Sequence, residues 1–281
     1  MDAKLQEPLE TVERIGPAPR IAVARAGRGV PVVFLHGIGG NRRNWSGELR
    51  RFGRKRMALA WDARGYGESD DYDGPLDFAD FARDLARVLD AVGAPAAHLV
   101  GLSMGGLVAQ SFYAALPRRV LSLTLVACRP GSAPIFGDEA RGDFLELRLK
   151  PLLEGKTPAD IAPSIVASLL GPKAGDAVRA RIEDSIGRLH RESYIKSLRA
   201  RVEIAPFLDL ATIAVPTLVV AGGADRLAPP AQMKAIADAI PGARYVLVPG
   251  SGHLINLEAP AAFGDALEGF LDEVDRRQVG R

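Results

Sequence analysis

Cysteine is nearly absent from this 281-residue chain: Cys128 is the only one, so neither an internal disulfide nor a cysteine-based metal cage can form. A reducing compartment suits such a sequence. Histidine is scarce as well, with four residues in all, which leaves few candidates for proton-transfer chemistry. Net charge is only +2, from 36 basic and 34 acidic side chains, and no basic block is long enough to follow a phosphate backbone. Nucleic acid is therefore not an expected partner. The densest basic stretch, Arg50-Arg51-Phe52-Gly53-Arg54-Lys55-Arg56, reads as a solvated helix end and loop. No run approaches the roughly 18 apolar residues that span a bilayer, and the charged opening MDAKLQEPLE lacks the apolar stretch of a signal peptide. These absences predict a soluble, cytoplasmic protein that uses no membrane, metal or other cofactor.

What the chain has in quantity is glycine (30) and proline (20), placed at regular breaks between apolar runs. Two extended segments open it, over 11–15 and 20–26, followed by apolar runs at 31–35, 58–61, 98–100, 121–126, 217–220 and 245–248. Runs of this length without polar alternation, separated by helices such as 78–92, are what a parallel sheet covered on both faces requires. The pattern predicts an α/β fold, doubly wound and mostly parallel. It fails between 130 and 206, where helices are expected over 139–149, 158–170, 174–189 and 192–202. So long a stretch is too much for one crossover, and it reads as a helical cap. The expected division is 1–130 and 207–281 for the α/β core, with 131–206 inserted as the cap.

The segment Gly101-Leu102-Ser103-Met104-Gly105 has the G-x-S-x-G pattern, placed between an apolar run and a helix-compatible stretch starting at Leu107. A sharp strand-to-helix turn needs small neighbours and lifts its central serine above the sheet edge, which makes Ser103 a candidate nucleophile. A serine hydroxyl needs a base within hydrogen-bond reach. Of the four histidines, His36 closes a strand and suits a loop-holding role, His98 lies within the strand leading to Ser103, and His190 falls in the helical stretch. His253, in the loop after the last strand, can reach over the sheet edge and is the preferred base. Asp225 follows the run at 217–220 and can orient that imidazole, although it could instead be a turn or helix-capping residue. Asp209 competes for the role but precedes its strand, at the opposite edge. Donors for a developing oxyanion are expected from the backbone N–H groups of Met104 and of Ile38, the latter within His36-Gly37-Ile38-Gly39-Gly40. A dinucleotide fingerprint fails there, because Arg42 stands where the third glycine is needed.

From about 20 to 271 the sequence resembles the α/β-hydrolase superfamily. The loop at 36–40 looks like its oxyanion loop, Asp62-Ala63-Arg64-Gly65-Tyr66-Gly67-Glu68-Ser69 like its D-x-R-G-x-G-x-S turn, and 101–106 like its nucleophile elbow. Together with the ending His253-Leu254-Ile255-Asn256-Leu257-Glu258-Ala259-Pro260, these are most like 3-oxoadipate enol-lactonases and cofactor-free haloperoxidase-type esterases. The resemblance implies a serine hydrolase for a small-molecule ester or lactone, working through an acyl-enzyme with Ser103, Asp225 and His253, and a homo-oligomer is compatible with it. Serine at 103 excludes the chemistry of epoxide hydrolases and haloalkane dehalogenases, which carry aspartate there. Two alternatives stay open: a C–C bond hydrolase of the meta-cleavage type, and a ligand-binding receptor on the same fold. An acidic substrate would require a pocket cation, for which Arg181, Arg188, Arg191, Arg199 and Arg201 are candidates and the pair His190-Arg191 comes first.

Overall fold

A computed structural model of the chain describes residues 10–131, 138–203 and 207–279. Eight strands form one sheet: β1 (Thr11–Ile15), β2 (Ile21–Ala26), β3 (Pro31–Leu35), β4 (Met57–Trp61), β5 (Ala97–Leu102), β6 (Val120–Val126), β7 (Thr217–Gly222) and β8 (Arg244–Val248). Their order across the sheet is β1-β2-β4-β3-β5-β6-β7-β8, antiparallel at β1/β2 and β2/β4 and parallel throughout the rest. All six residues of β5 and all six of β7 are buried, whereas β1 and β8 at the two edges are largely exposed or half-exposed. That contrast explains why the central strands read as unbroken apolar runs.

Helices α1 (Ser46–Phe52), α2 (Phe78–Ala91), α3 (Met104–Ala115), α8 (Pro230–Ala239), α9 (Ile255–Glu258) and α10 (Pro260–Val279) accompany the sheet. In α2 the buried Phe81, Leu85, Val88 and Leu89 recur at helical spacing, and Asp77 and Asp80 close a reciprocal cap at its start. Between β6 and β7 lie four more helices, α4 (Asp138–Leu153), α5 (Pro158–Leu169), α6 (Asp176–Gly187) and α7 (Arg191–Glu203). Their bounds follow the predicted segments within a few residues. The junctions expected near 130 and 206 adjoin 132–137 and 204–206, which lie outside the described residues, as does the opening segment 1–9.

Two expectations need correcting. Helix α3 starts at Met104, three residues before the expected Leu107, because the turn at Ser103 is so abrupt that strand and helix both run up to it. The basic stretch 50–56 is also not simply solvated. Arg51 pairs with Asp265 and Glu268, Lys55 with Glu268, and Arg56 with Asp272 and Asp275, so three cations grip an acidic stripe along one face of α10. The Arg56 side chain is only 4% exposed, and Asp275 also accepts from His98 Nε2 at 3.0 Å. Such a network is worth more than isolated surface pairs, and it fastens the last helix to the sheet.

Because β3, β5, β6, β7 and β8 are parallel, the loops after their C-terminal ends emerge at one edge of the sheet. That edge carries His36–Gly40 after β3, Ser103 after β5, Asp225 after β7 and His253 after β8.

Candidate active site

Ser103 occupies the turn between β5 and α3 with φ 54° and ψ −110°, a left-handed conformation that a non-glycine residue adopts only under constraint. Two contacts impose it. A Cβ at Gly101 would sit 2.2 Å from the Gly105 carbonyl oxygen, and one at Gly105 would sit 2.1 Å from the Leu35 carbonyl oxygen. Only hydrogen fits at either place, so the turn can close against the end of β3. The Ser103 N–H donates to the Val126 carbonyl at 2.9 Å, which ties the turn to β6. As the residue before α3, Ser103 also sits at the positive end of that helix. Met104 is the first residue of α3, where N–H groups have no intrahelical acceptor. Ile38 lies in the turn closed by Gly40 N–H donating to the Gly37 carbonyl at 2.9 Å, and it lines the same cavity as Ser103.

His253 is buried and hydrogen-bonded through Nδ1 to Asp225 Oδ2 at 2.8 Å. Burial alone would raise the Asp225 carboxyl, but His253 and the N–H groups of Ala228 and Leu227 hold it below its usual range. An ionised carboxylate only accepts, so Nδ1 donates this bond, which in a neutral imidazole places the lone pair on Nε2. Asp225 Oδ1 meanwhile accepts from the N–H groups of Leu227 at 2.8 Å and Ala228 at 3.1 Å. Asp225 therefore closes a turn through one oxygen and bonds the His253 imidazole through the other. Asp209 lies before β7, where it caps the short helical turn Leu210–Thr212 and accepts from the Ala211 N–H.

The remaining histidines are engaged elsewhere. Ala63 N–H donates to His36 Nε2 at 3.0 Å, so Nδ1 carries the proton and donates to the Gly37 carbonyl at 2.9 Å. Burial depresses that imidazole and keeps it neutral, although the Gly37 carbonyl and Asp62 act in the opposite direction. The turn at 62–69 supports it: buried Asp62 accepts from the N–H groups of Arg42 at 2.7 Å and Glu68 at 2.9 Å and pairs with the Arg42 guanidinium. His98 is fully buried between Ser122 and Asp275, and His190 is bonded to Asp71 at 2.8 Å on the surface. Cys128 is buried, which pushes its thiol up to about 12 and leaves it un-ionised near neutral pH.

The loop bearing His253 is strapped to the helical insertion. His253 N–H donates to the Leu169 carbonyl at 2.8 Å, at the end of α5. Glu258 accepts from Gly252 N–H at 3.0 Å and Leu254 N–H at 3.1 Å, on either side of His253, and from Gly171 N–H at 2.8 Å. One carboxylate thus holds both flanks of the histidine and the chain leaving α5. Sequence reasoning quoted Glu258 within the closing motif without giving it a role. The usable signal was an acid following a glycine-flanked histidine within one helical turn of Pro260.

Ser103 and His253 line a cavity of about 250 Å³ between the sheet edge and the insertion, small for a ligand site. Its apolar lining includes Trp45, Leu102, Phe144 and Ile182. Arg201, one of the five expected candidates, lines it, together with Arg129, Arg148 and Arg226, which sequence reasoning had not singled out. The favoured pair is displaced. His190 bonds Asp71, while Arg191 pairs with Glu192 and donates to the Leu152 carbonyl. Arg188 pairs with Asp184, Arg181 donates to the Arg43 carbonyl, and Arg199 is exposed. Among the described residues, no helix is long and apolar enough to cross a membrane.

Comparison with known proteins matches this architecture. The protein named "Putative carbamate hydrolase RutD" from Azorhizobium caulinodans is 29% identical over 254 residues, covering 89% of this chain and 94% of the relative. The structure of a thermophilic esterase from Thermogutta terrifontis, with malate bound, superposes with a TM-score of 0.82 at 28% identity over 95% of this chain and 99% of that one. The enol-lactonase from Burkholderia xenovorans shares the fold, with a TM-score of 0.79 at 23% identity over 93% of this chain and all of the other. Residues 32–266 match the model of the alpha/beta hydrolase family, and with the sheet order and the strand-end loops described above, the chain is an enzyme of that family.

Proposed function

We propose that the protein is a serine hydrolase acting on a small carboxylic ester or lactone, with Ser103 as nucleophile, His253 as base and Asp225 as the group that orients it. The observation that carries this reading is the 2.8 Å bond from His253 Nδ1 to Asp225, which leaves Nε2 basic in the cavity that Ser103 also lines. Ser103 Oγ adds to the carbonyl carbon while its proton passes to His253 Nε2. The oxyanion is held by the N–H groups of Met104 and Ile38, a contribution of about 3 kcal/mol per donor. Collapse expels the alcohol, which takes the proton from His253 and leaves an acyl-serine. Water then attacks the acyl carbon, giving its proton to His253, and the second collapse releases the acid and restores Ser103. The insertion acts as a cap that encloses the cavity and selects the substrate. The esterase and carbamate hydrolase names of its relatives make short esters and carbamates the first compounds to assay.

Ser103→Ala tests the mechanism. Turnover of p-nitrophenyl acetate is expected to fall by roughly 10⁴-fold or more. A purified variant that keeps wild-type turnover would overturn the reading.

A further inference from the structure

The loop after β3 is held from two directions. At its start the core holds it: His36 Nδ1 and the Gly40 N–H both donate to the Gly37 carbonyl, each at 2.9 Å, and His36 Nε2 accepts from the Ala63 N–H. Further along, the partner is the insertion. Ser185, on α6, is only 4% exposed, and its hydroxyl donates to the Gly39 carbonyl at 3.1 Å while accepting from Asn41 Nδ2 at 2.9 Å. Asn41 Oδ1 is occupied by the Arg43 N–H at 2.9 Å, so the amide must turn its NH₂ toward Ser185, and the single hydroxyl proton is left for Gly39. Two further contacts from the same helix follow the loop. A Cβ at Gly39 would lie 3.4 Å from Ile186 Cγ1, and Arg181, one helical turn before Ser185, donates to the Arg43 carbonyl.

A turn closed from residue 40 to residue 37 uses the N–H of residue 40, which leaves that of Ile38, its second residue, for another acceptor. Where that N–H points depends on the third residue. Gly39 stands there with φ +85°, and a glycine can leave such a conformation at little cost. Fixing its carbonyl removes this freedom. We infer that Ser185 is a positioning residue for the oxyanion donor: through the Gly39 carbonyl it sets the turn that presents the Ile38 N–H, so that the hole is complete only when α6 is docked. The inference rests on the serine-hydrolase reading above. Loss of an oxyanion donor outright costs roughly 10²–10³-fold in rate, and loosening one of two is expected to cost less, about 20-fold.

The test applies Ser185→Ala and Ser185→Thr to two probes, p-nitrophenyl acetate and butylboronic acid. The boronic acid gains a B–O bond to Ser103 Oγ, whose proton passes to His253, and the resulting tetrahedral adduct sets a boronate oxygen in the same hole. In Ser185→Ala, kcat/KM for the ester should fall by about 20-fold and the Ki of the boronic acid should rise by a similar factor. Ser185→Thr keeps the hydroxyl and should restore most of both. A purely structural role would lower the melting temperature and leave these two readouts where they were. Wild-type kcat/KM in Ser185→Ala would overturn the inference, as would a fall in kcat/KM with unchanged affinity for the boronic acid. If Ser103→Ala keeps wild-type turnover, the hydrolase reading fails and the inference with it. If Ser103→Ala is inactive while Ser185→Ala matches wild type, the inference alone falls.

Discussion

The two sides of the candidate site are held in place by different physics. On the Ser103 side, position follows from steric closeness: β3, β5 and α3 approach until a Cβ at Gly101 or Gly105 would overlap a carbonyl oxygen. On the His253 side, position follows from hydrogen bonds to two carboxylates, Asp225 and Glu258, and to the end of α5. Close packing is stiff and insensitive to pH, whereas carboxylate contacts depend on ionisation and on whatever else the partner element does. Ser103 is thus placed by the sheet and the helix that follows it, and His253 jointly by the sheet and the insertion.

Three substitutions probe this contrast, the first with the greatest expected consequence. Gly105→Ala puts a methyl group 2.1 Å from backbone that cannot rotate away, so the end of β3 and α3 must separate. A loss of at least about 3 kcal/mol in urea-unfolding stability is expected, together with loss of activity. A variant of wild-type stability would show that the turn is looser than its contacts imply.

Glu48 probes the joint itself, since it lies on α1 and faces both Asn256, just past His253, and Arg181 of the insertion. Burial drives its carboxyl up to about 7, against the Asn256 bond and the Arg181 charge. The folded state then keeps a proton that the unfolded chain has shed, so this contribution to stability is complete below the unfolded value of 4.5, declines as pH rises, and is gone above about 7. Glu48→Gln should abolish that decline. The gap between mutant and wild-type stability should shift by on the order of 3 kcal/mol from acid to mildly alkaline pH. Parallel pH curves would refute the assignment.

Glu258→Ala removes the strap while leaving the sheet intact. Each lost bond to a charged acceptor is modest, so the expected result is a folded protein with kcat lowered about 30-fold, roughly 2 kcal/mol. Glu258→Gln should lie between, because an amide accepts at one oxygen but turns a donor toward the other contact. If kcat stays unchanged while only the melting temperature drops, Glu258 serves stability and not the placement of His253.

Much of this was legible in advance, for local reasons. Strand runs, the helical period of α2 and the glycines around Ser103 report on neighbours close in sequence, and those neighbours decide strand, helix and turn. Asp225 and His253 could be located because each follows a recognisable strand. Glu258 was not assigned, since its three partners include Gly171, which is 87 residues away. The basic stretch 50–56 was misread for the same reason: its counter-charges lie on α10, more than 200 residues on.

The amino-acid order alone therefore determined the sheet strands, the abrupt turn at Ser103 and the order along the chain of the candidate residues Ser103, Asp225 and His253. Those depend on periodicity, small residues and position along parallel strands. The tertiary structure decided which cations face the cavity, selecting Arg129, Arg148, Arg201 and Arg226 while turning Arg181, Arg188, Arg191 and Arg199 to other duties. A helix's sequence tells which residues share a face, but what that face meets depends on how α4 and α7 dock over the sheet edge, and that docking is a balance of contacts between residues remote in the chain.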